Sequence, residues 1–301
     1  MQPELKTAAV LVNHAYHKLL ESDPNLKEVN PKSTCVLTEG CYDYLSCKPR
    51  NWGRIVEQSK KNKYKGIEIR PVDCPKLSHP MVFTWNDAAK RTTWYAMRGT
   101  VTYHNSVSID NPIQVLKNVL KEPEILADME MLVFGLRKPS LVNSVVNCIL
   151  EDIGRSNPKP KHVYLTGHSL GGSVALRSKH VIGKKFPNIR TSVIAFAPFV
   201  KNIDKYVDPS VQIFYHKKDF VTNNLFLSMG LKNHKPQLHL LASRLQDHKE
   251  WHSMACIFKG IEDASEDVAT RWPLQNTTTG GAGENTNIRS MIRAELAKYK
   301  Q

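Results

Sequence analysis

The stretch His162-Val163-Tyr164-Leu165-Thr166-Gly167-His168-Ser169-Leu170-Gly171-Gly172-Ser173 runs from a β-rich segment straight into G-x-S-x-G and then into a helical pattern. Working outward, His162 to Thr166 is expected to be a strand, Ser169 to Phe186 a helix, and Ser192 to Phe196 and Val211 to Tyr215 further strands. Strands separated by helix-length crossovers imply a mainly parallel sheet with helices on both faces, an α/β architecture. Upstream, Met81 to Trp85 and Thr93 to Met97 are β-rich runs joined by the polar Asn86 to Arg91, which predicts a hairpin. Asn111-Pro112 supplies a cap and a first-turn proline for a helix carrying Ile113, Leu116, Val119 and Leu120. A second helix over Leu141 to Ile153 turns Val142, Val145, Val146, Ile149 and Ile153 inward, and Pro158 and Pro160 end it. Near the N-terminus, Leu5, Ala8, Ala9, Val12, Ala15, Tyr16, Leu19 and Leu20 share one helical face.

A serine hydroxyl is a poor nucleophile unless a base holds its proton. A strand-turn-helix elbow presents it in a strained, exposed position where such a base can reach. Gly167 and Gly171 suit that turn because a side chain there would collide across it, and Gly171 and Gly172 let the helix lie close to the strand. A chance G-x-S-x-G in a loop would lack the flanking strand and helix present here. The backbone N–H of Leu170, the residue after the serine, is then a candidate donor to an oxyanion.

On two motifs, Gly167-His168-Ser169-Leu170-Gly171-Gly172 and Tyr95-Ala96-Met97-Arg98-Gly99-Thr100, the chain resembles the class 3 lipase family of α/β-hydrolases over roughly Met81 to Tyr215. The resemblance implies an α/β-hydrolase-like fold and a Ser-His-Asp hydrolase of acylglycerols, phospholipids or related esters, working without metal or organic cofactor. It also implies that Thr100 supplies the second oxyanion donor through its backbone N–H and its hydroxyl. The stretch after Thr100 has Val101, Tyr103, Val107 and Ile109 as its large apolar residues, too few for the long amphipathic lid of many lipases. Interfacial activation is therefore not expected.

The acid should follow a later strand, because the hydrolase order is Ser, then Asp or Glu, then His. Asp219 lies just past Val211 to Tyr215, in a segment that resembles the family's strand, Asp, variable residue and Val. Lys218 stands where the family tends to place Gly, so the turn presenting Asp219 is expected to differ. Asp204 and Asp208 precede the strand and read as loop residues. Among His234, His239, His248 and His252, the family's terminal histidine resembles His252, which is followed by Ser253 and Met254. His248 is the alternative, four residues away and able to occupy the same face. His239 reads as a core or edge residue, and His168 as packing beneath the elbow.

Composition bounds the rest. The 301 residues are 41% hydrophobic and 23% charged, enough for a sizeable core and unlike a disordered or collagen-like chain. One α/β-hydrolase domain is expected over 1–272, with residues 1–79 a helix and an irregular segment packed on it. Residues 273–301 read as a flexible linker and a basic C-terminal helix. No apolar run approaches a membrane span, and the first residues do not resemble a signal peptide, so an intracellular protein, cytoplasmic or peripheral to a membrane, is expected. The six cysteines, far below disulfide-scaffold density, are expected to be reduced thiols, and Cys35, Cys41 and Cys47 lack metal-site spacing. Forty-two Lys and Arg against 28 Asp and Glu leave a formal charge of +14, spread along the chain. Such a chain attracts anions, an anionic membrane surface among them, but carries no recognisable nucleic-acid motif. Oligomeric state is not legible. A contrasting reading is a catalytically silent hydrolase-fold binding or structural protein with an anion-attracting surface.

Overall fold

The computed structural model describes residues 3–22, 69–74, 77, 80–99, 127, 140–198, 203–216 and 238–241. Among them are three α-helices, α1 (Pro3–Ser22), α2 (Ser140–Arg155) and α3 (Leu170–Lys185). The strands are β1 (Arg70–Pro71), β2 (Val82–Asp87), β3 (Thr92–Met97), β4 (His162–His168), β5 (Arg190–Phe196), β6 (Val211–His216) and β7 (Leu238–Leu241). They form one sheet in sequential order from β1 to β7. The expected helix after Asn111, the irregular stretch before Tyr64 and the C-terminal linker and helix lie outside the described residues.

The predicted hairpin is present, with β2 and β3 antiparallel and in register from Val82 opposite Met97 to Asp87 opposite Thr92. Its turn closes through Arg91, whose φ of 50° lies in the left-handed region and whose N–H donates to Ala88 O at 3.2 Å. That turn also sets the next register. Arg91 O accepts from Lys161 N at 2.9 Å, and Lys161 O accepts from Arg190 N at 3.1 Å, so β3, β4 and β5 start level with one another. From β3 to β7 the pairing is parallel throughout. The short strand β1 joins antiparallel to β2, an addition the sequence did not signal because it spans two residues.

Sequential parallel order has a consequence for the helices. Right-handed crossovers that step the same way along a sheet fall on the same face. α2 and α3 accordingly pack against one another, and Tyr95 from β3 reaches α2, its hydroxyl donating to Asp152 Oδ2 at 2.8 Å. Burial first, and then the Asp152 charge, push the Tyr95 phenol far above its ordinary value, so it stays a donor. The opposite face carries α1, which packs on β3 and β4. Tyr164 and Trp94 stack there with centroids 4.2 Å apart. α1 is buried beyond its predicted stripe, since Val10 and Leu11 are enclosed together with Leu5, Ala8, Ala9, Val12, Ala15 and Tyr16. Its alanines let the helix axis approach the sheet closely. Each fully buried large aliphatic side chain of this core contributes roughly 1.5–3 kcal/mol. Cys74 and Cys148 are free thiols, and burial, then a hydrogen bond to Cys148, raises Cys74 well above its usual value.

Asp208 does what a loop aspartate before a strand should do. Its Oδ1 accepts from Ser210 N at 2.8 Å and Ser210 Oγ at 2.6 Å, and its Oδ2 accepts from Lys179 Nζ of α3. Burial alone would raise this carboxyl, but the hydrogen bonds from Lys179 and Ser210 and the Lys179 charge outweigh it and hold it below its ordinary 3.8. A depressed acid contributes stability above the unfolded value and loses it as pH falls through the folded one. We therefore expect Asp208→Asn to lower the melting temperature at pH 7, with the gap to wild type closing progressively below pH 4 in parallel thermal melts. The carboxyl's partial exposure keeps the effect small.

Candidate active site

β4 delivers the chain into Ser169, and α3 begins at Leu170. Ser169 takes φ 52° and ψ −121°, a conformation that L-residues avoid, and its hydroxyl makes no capping bond to the helix it precedes. A serine at the start of a helix normally does make that bond. The elbow is anchored on both sides: Ser169 N donates to Phe196 O at 2.9 Å, and Ser169 O accepts from Ser173 N at 3.1 Å. The result is a half-buried serine above the carboxyl edge of the sheet.

The glycines explain why this bend is accessible. A Cβ on Gly167 would stand 2.4 Å from the carbonyl of Gly171. One on Gly171 would stand 2.4 Å from both Met97 O and Arg98 O. The first is the collision across the turn that the spacing predicts, whereas the second involves the end of the neighbouring strand. Leu170 opens α3 with its side chain fully buried. Amides in the first turn of a helix lack intrahelical acceptors, so its N–H belongs to the set a developing anion can use.

The second motif ends beside the first. A Cβ on Gly99 would lie 3.1 Å from Ser169 Cβ, 3.0 Å from His168 O and 2.5 Å from Tyr16 Oη. Arg98 is fully buried and donates from Nε to Pro80 O at 2.8 Å and from Nη1 to Gly99 O at 2.9 Å. Burying a guanidinium is tolerable only with such donors satisfied. Beneath the elbow, as its position suggested, His168 is buried, and its Nδ1 lies 2.7 Å from the Tyr16 hydroxyl. Gly99 N also donates to that hydroxyl, at 2.7 Å. The sequence reading missed Tyr16 and Arg98 as parts of this site. A tyrosine in the apolar stripe of α1 was the available signal, because a buried phenol requires a polar partner.

Ser169, Leu170 and the Arg98-Gly99 half of the second motif are thus brought together. Thr100, Asp219, His248 and His252 lie outside the described residues. β6 is parallel to β4 and β5 and ends at His216, with Phe214 level with Phe196 and Phe196 level with His168, so the chain leaves β6 at the edge where Ser169 stands. β7 occurs at Leu238–Leu241, in keeping with the edge reading of that segment. Ala197, with φ 44°, is a second strained residue at this edge and donates to Phe214 O at 2.8 Å.

Among the described residues, a group of exposed basic side chains stands at the other edge of the sheet. Arg91, Lys159, Lys161, Lys184, Lys185 and Arg190 are exposed at the opposite, amino edge of the parallel strands. One hydrogen bond links the first pair, Arg91 Nη2 donating to Lys159 O at 2.8 Å, while Lys159 and Lys185 both approach the Phe186 ring at 5.8 Å. At that edge burial, then the Arg190 charge, lowers the His162 imidazole below its ordinary value. Among the described residues no helix is long and apolar enough to cross a membrane.

Among curated proteins, none matches the chain in sequence. The lipase of Rhizopus microsporus var. chinensis is similar in structure at 15% identity, covering 81% of this chain and 74% of that one with a TM-score of 0.41. A triacylglycerol lipase of Penicillium expansum (16% identity, 83% and 80% covered, TM-score 0.37) and the mono- and diacylglycerol lipase of Aspergillus oryzae (14%, 75% and 75%, 0.40) are similar too. At these scores the likenesses add nothing to what sheet order and elbow already display. The sequence model of the family "Lipase (class 3)" matches residues 95–228, a span holding the Gly99 turn, the elbow and Asp219. Through that segment the chain is similar to the class 3 lipase family.

Proposed function

We propose that the protein is a serine hydrolase that cleaves carboxylic esters of lipids through an acyl-enzyme. The observation that carries this reading is the strained Ser169 elbow packed against Gly99. Ser169 Oγ attacks the ester carbonyl while His252 takes its proton, and Asp219 orients the resulting imidazolium. The N–H groups of Leu170 and Thr100 hold the oxyanion. Collapse of the tetrahedral intermediate expels the alcohol, protonated by His252, and water then repeats the sequence on the acyl-enzyme. Each oxyanion donor is worth about 100- to 1,000-fold in rate. No step calls on a metal or an organic cofactor.

A fluorophosphonate probe tests the reading directly, because it phosphonylates a serine only where a base and an oxyanion site activate it. Wild type should label on the peptide containing Ser169, and Ser169→Ala should not. Labelling that persists in Ser169→Ala, or a wild type inert to probe and ester alike, would sink the proposal.

We also infer a peripheral, membrane-surface role for the basic tail. Arg289, Arg293, Lys298 and Lys300 alternate with Ile288, Met291, Ile292 and Leu296, the pattern of a helix lying on an anionic bilayer. Deletion from Asn287 onward, or added salt, should weaken sedimentation with anionic vesicles while soluble-ester turnover is largely kept, since salt screens exposed charge over ~10 Å at 0.1 M. Equal binding to neutral and anionic vesicles would remove this role.

A further inference from the structure

The hydrogen bonds around Gly99 place a residue of the N-terminal helix inside the machinery of the active site. Tyr16 leaves α1 one turn after Val12, is enclosed between helix and sheet, and meets two groups at 2.7 Å, Gly99 N and His168 Nδ1. The roles follow from the donor inventory. A backbone N–H can only donate, so the phenol oxygen accepts from Gly99 N, and the same hydroxyl shares a hydrogen bond with His168 Nδ1 whose direction is set by the His168 tautomer. One hydroxyl therefore joins the two segments that must stay in register for catalysis, the strand end bearing Gly99 and the residue just before the nucleophile.

The other side of Gly99 is held as well. Its carbonyl oxygen accepts from Arg98 Nη1 at 2.9 Å. A trans peptide is planar and points its N–H opposite to its C=O, so a fixed Gly99 carbonyl sets the direction of the amide that follows. Tyr16 fixes the peptide before Gly99 and Arg98 the peptide after it. Without the phenol, a buried N–H would lose its acceptor, and the glycine, the residue with the greatest backbone freedom, would be held at one end only.

We propose that Tyr16 is a positioning residue for the proposed ester hydrolysis, tying α1 through one hydroxyl to the oxyanion-binding segment at Gly99 and to His168 beneath the nucleophile. This rests on the serine-hydrolase reading. Its effect is on the transition state and not on substrate binding, because an oxyanion exists only after attack has begun.

Tyr16→Phe keeps the ring and removes the hydroxyl. Compared with wild type in the full chain, it should lower kcat on a short-chain nitrophenyl ester by about 10-fold or more, slow fluorophosphonate labelling in proportion, and leave KM within about twofold. Val12→Ala, on the same buried helix, serves as the control for packing: it should lower the melting temperature at least as much and leave kcat near wild type. Imidazole 15N shifts should report a hydrogen-bonded Nδ1 for His168 in wild type and an altered Nδ1 signal in Tyr16→Phe. If wild type labels and Tyr16→Phe turns over equally fast, the positioning role is overturned while the hydrolase reading stands. The role is equally overturned if the variant changes KM alone, if Val12→Ala loses kcat to the same extent, or if the His168 signals do not respond. A wild type that neither labels nor hydrolyses overturns both.

Discussion

Ser169→Gly should abolish ester hydrolysis and raise the melting temperature. The two effects have one cause, since the serine is held at φ 52° and ψ −121° so that its hydroxyl projects from the elbow. Strain of this kind costs of order 1–3 kcal/mol in a residue bearing a Cβ, and glycine adopts such angles freely. Part of that gain is offset by the extra freedom of glycine in the unfolded chain, roughly 0.5–1 kcal/mol. A net stabilisation near 1 kcal/mol remains, which in a chain of 301 residues is a rise of about 1.5–2 °C. Activity should fall to the limit of detection, with a loss in kcat on the order of a millionfold for a triad nucleophile. Ser169→Ala should match it in activity without the gain in stability. Because triad members act as a unit, Ser169→Ala combined with His252→Ala should be no worse than either single variant. Normal turnover in His252→Ala, with loss in His248→Ala, would move the base to His248. A Ser169→Gly protein that melts below wild type would show that the elbow is not strained.

Gly171→Ala should cost about 3 kcal/mol or more, or prevent folding. The added methyl would stand 2.4 Å from Met97 O and Arg98 O, both backbone atoms, with no flexible side chain to swing aside. Relief would require α3 to move off the sheet or the end of β3 to leave its pairing with β4, where Met97 stands opposite Gly167. Either breaks packing around the fully buried Leu170 and Val174. Gly154→Ala and Gly183→Ala provide the contrast, as both glycines sit in helices with nothing within 4 Å of an added Cβ. These should stabilise by about 0.5–1 kcal/mol each, since alanine loses less freedom in a helix. Thermal melts of the three variants decide the matter. A stable Gly171→Ala protein would mean that the elbow and the end of β3 are less closely apposed than the structure has them.

The linear pattern determined the α/β class, the hairpin before the parallel strands and the candidate nucleophile, because each rests on local rules of spacing. Alternation marks a strand, three-and-four spacing marks a helix, and Gly167, Ser169 and Gly171 between them mark the turn that joins one to the other. The inward face of α2 was legible for the same reason: Val142, Val145, Val146, Ile149 and Ile153 are all buried. Spacing carries no information about which distant segments meet. That α1 covers the face opposite α2 and α3, that Gly99 abuts Ser169, and that Tyr16 bonds across 152 positions to His168 follow from the parallel register and the crossover direction. Charge behaved likewise. Among the described residues, Arg91, Lys159, Lys161, Lys184, Lys185 and Arg190, far apart in sequence, stand together at the amino edge because α3 ends there and β3, β4 and β5 begin there. A composition adds charges together, and only the fold decides where they stand.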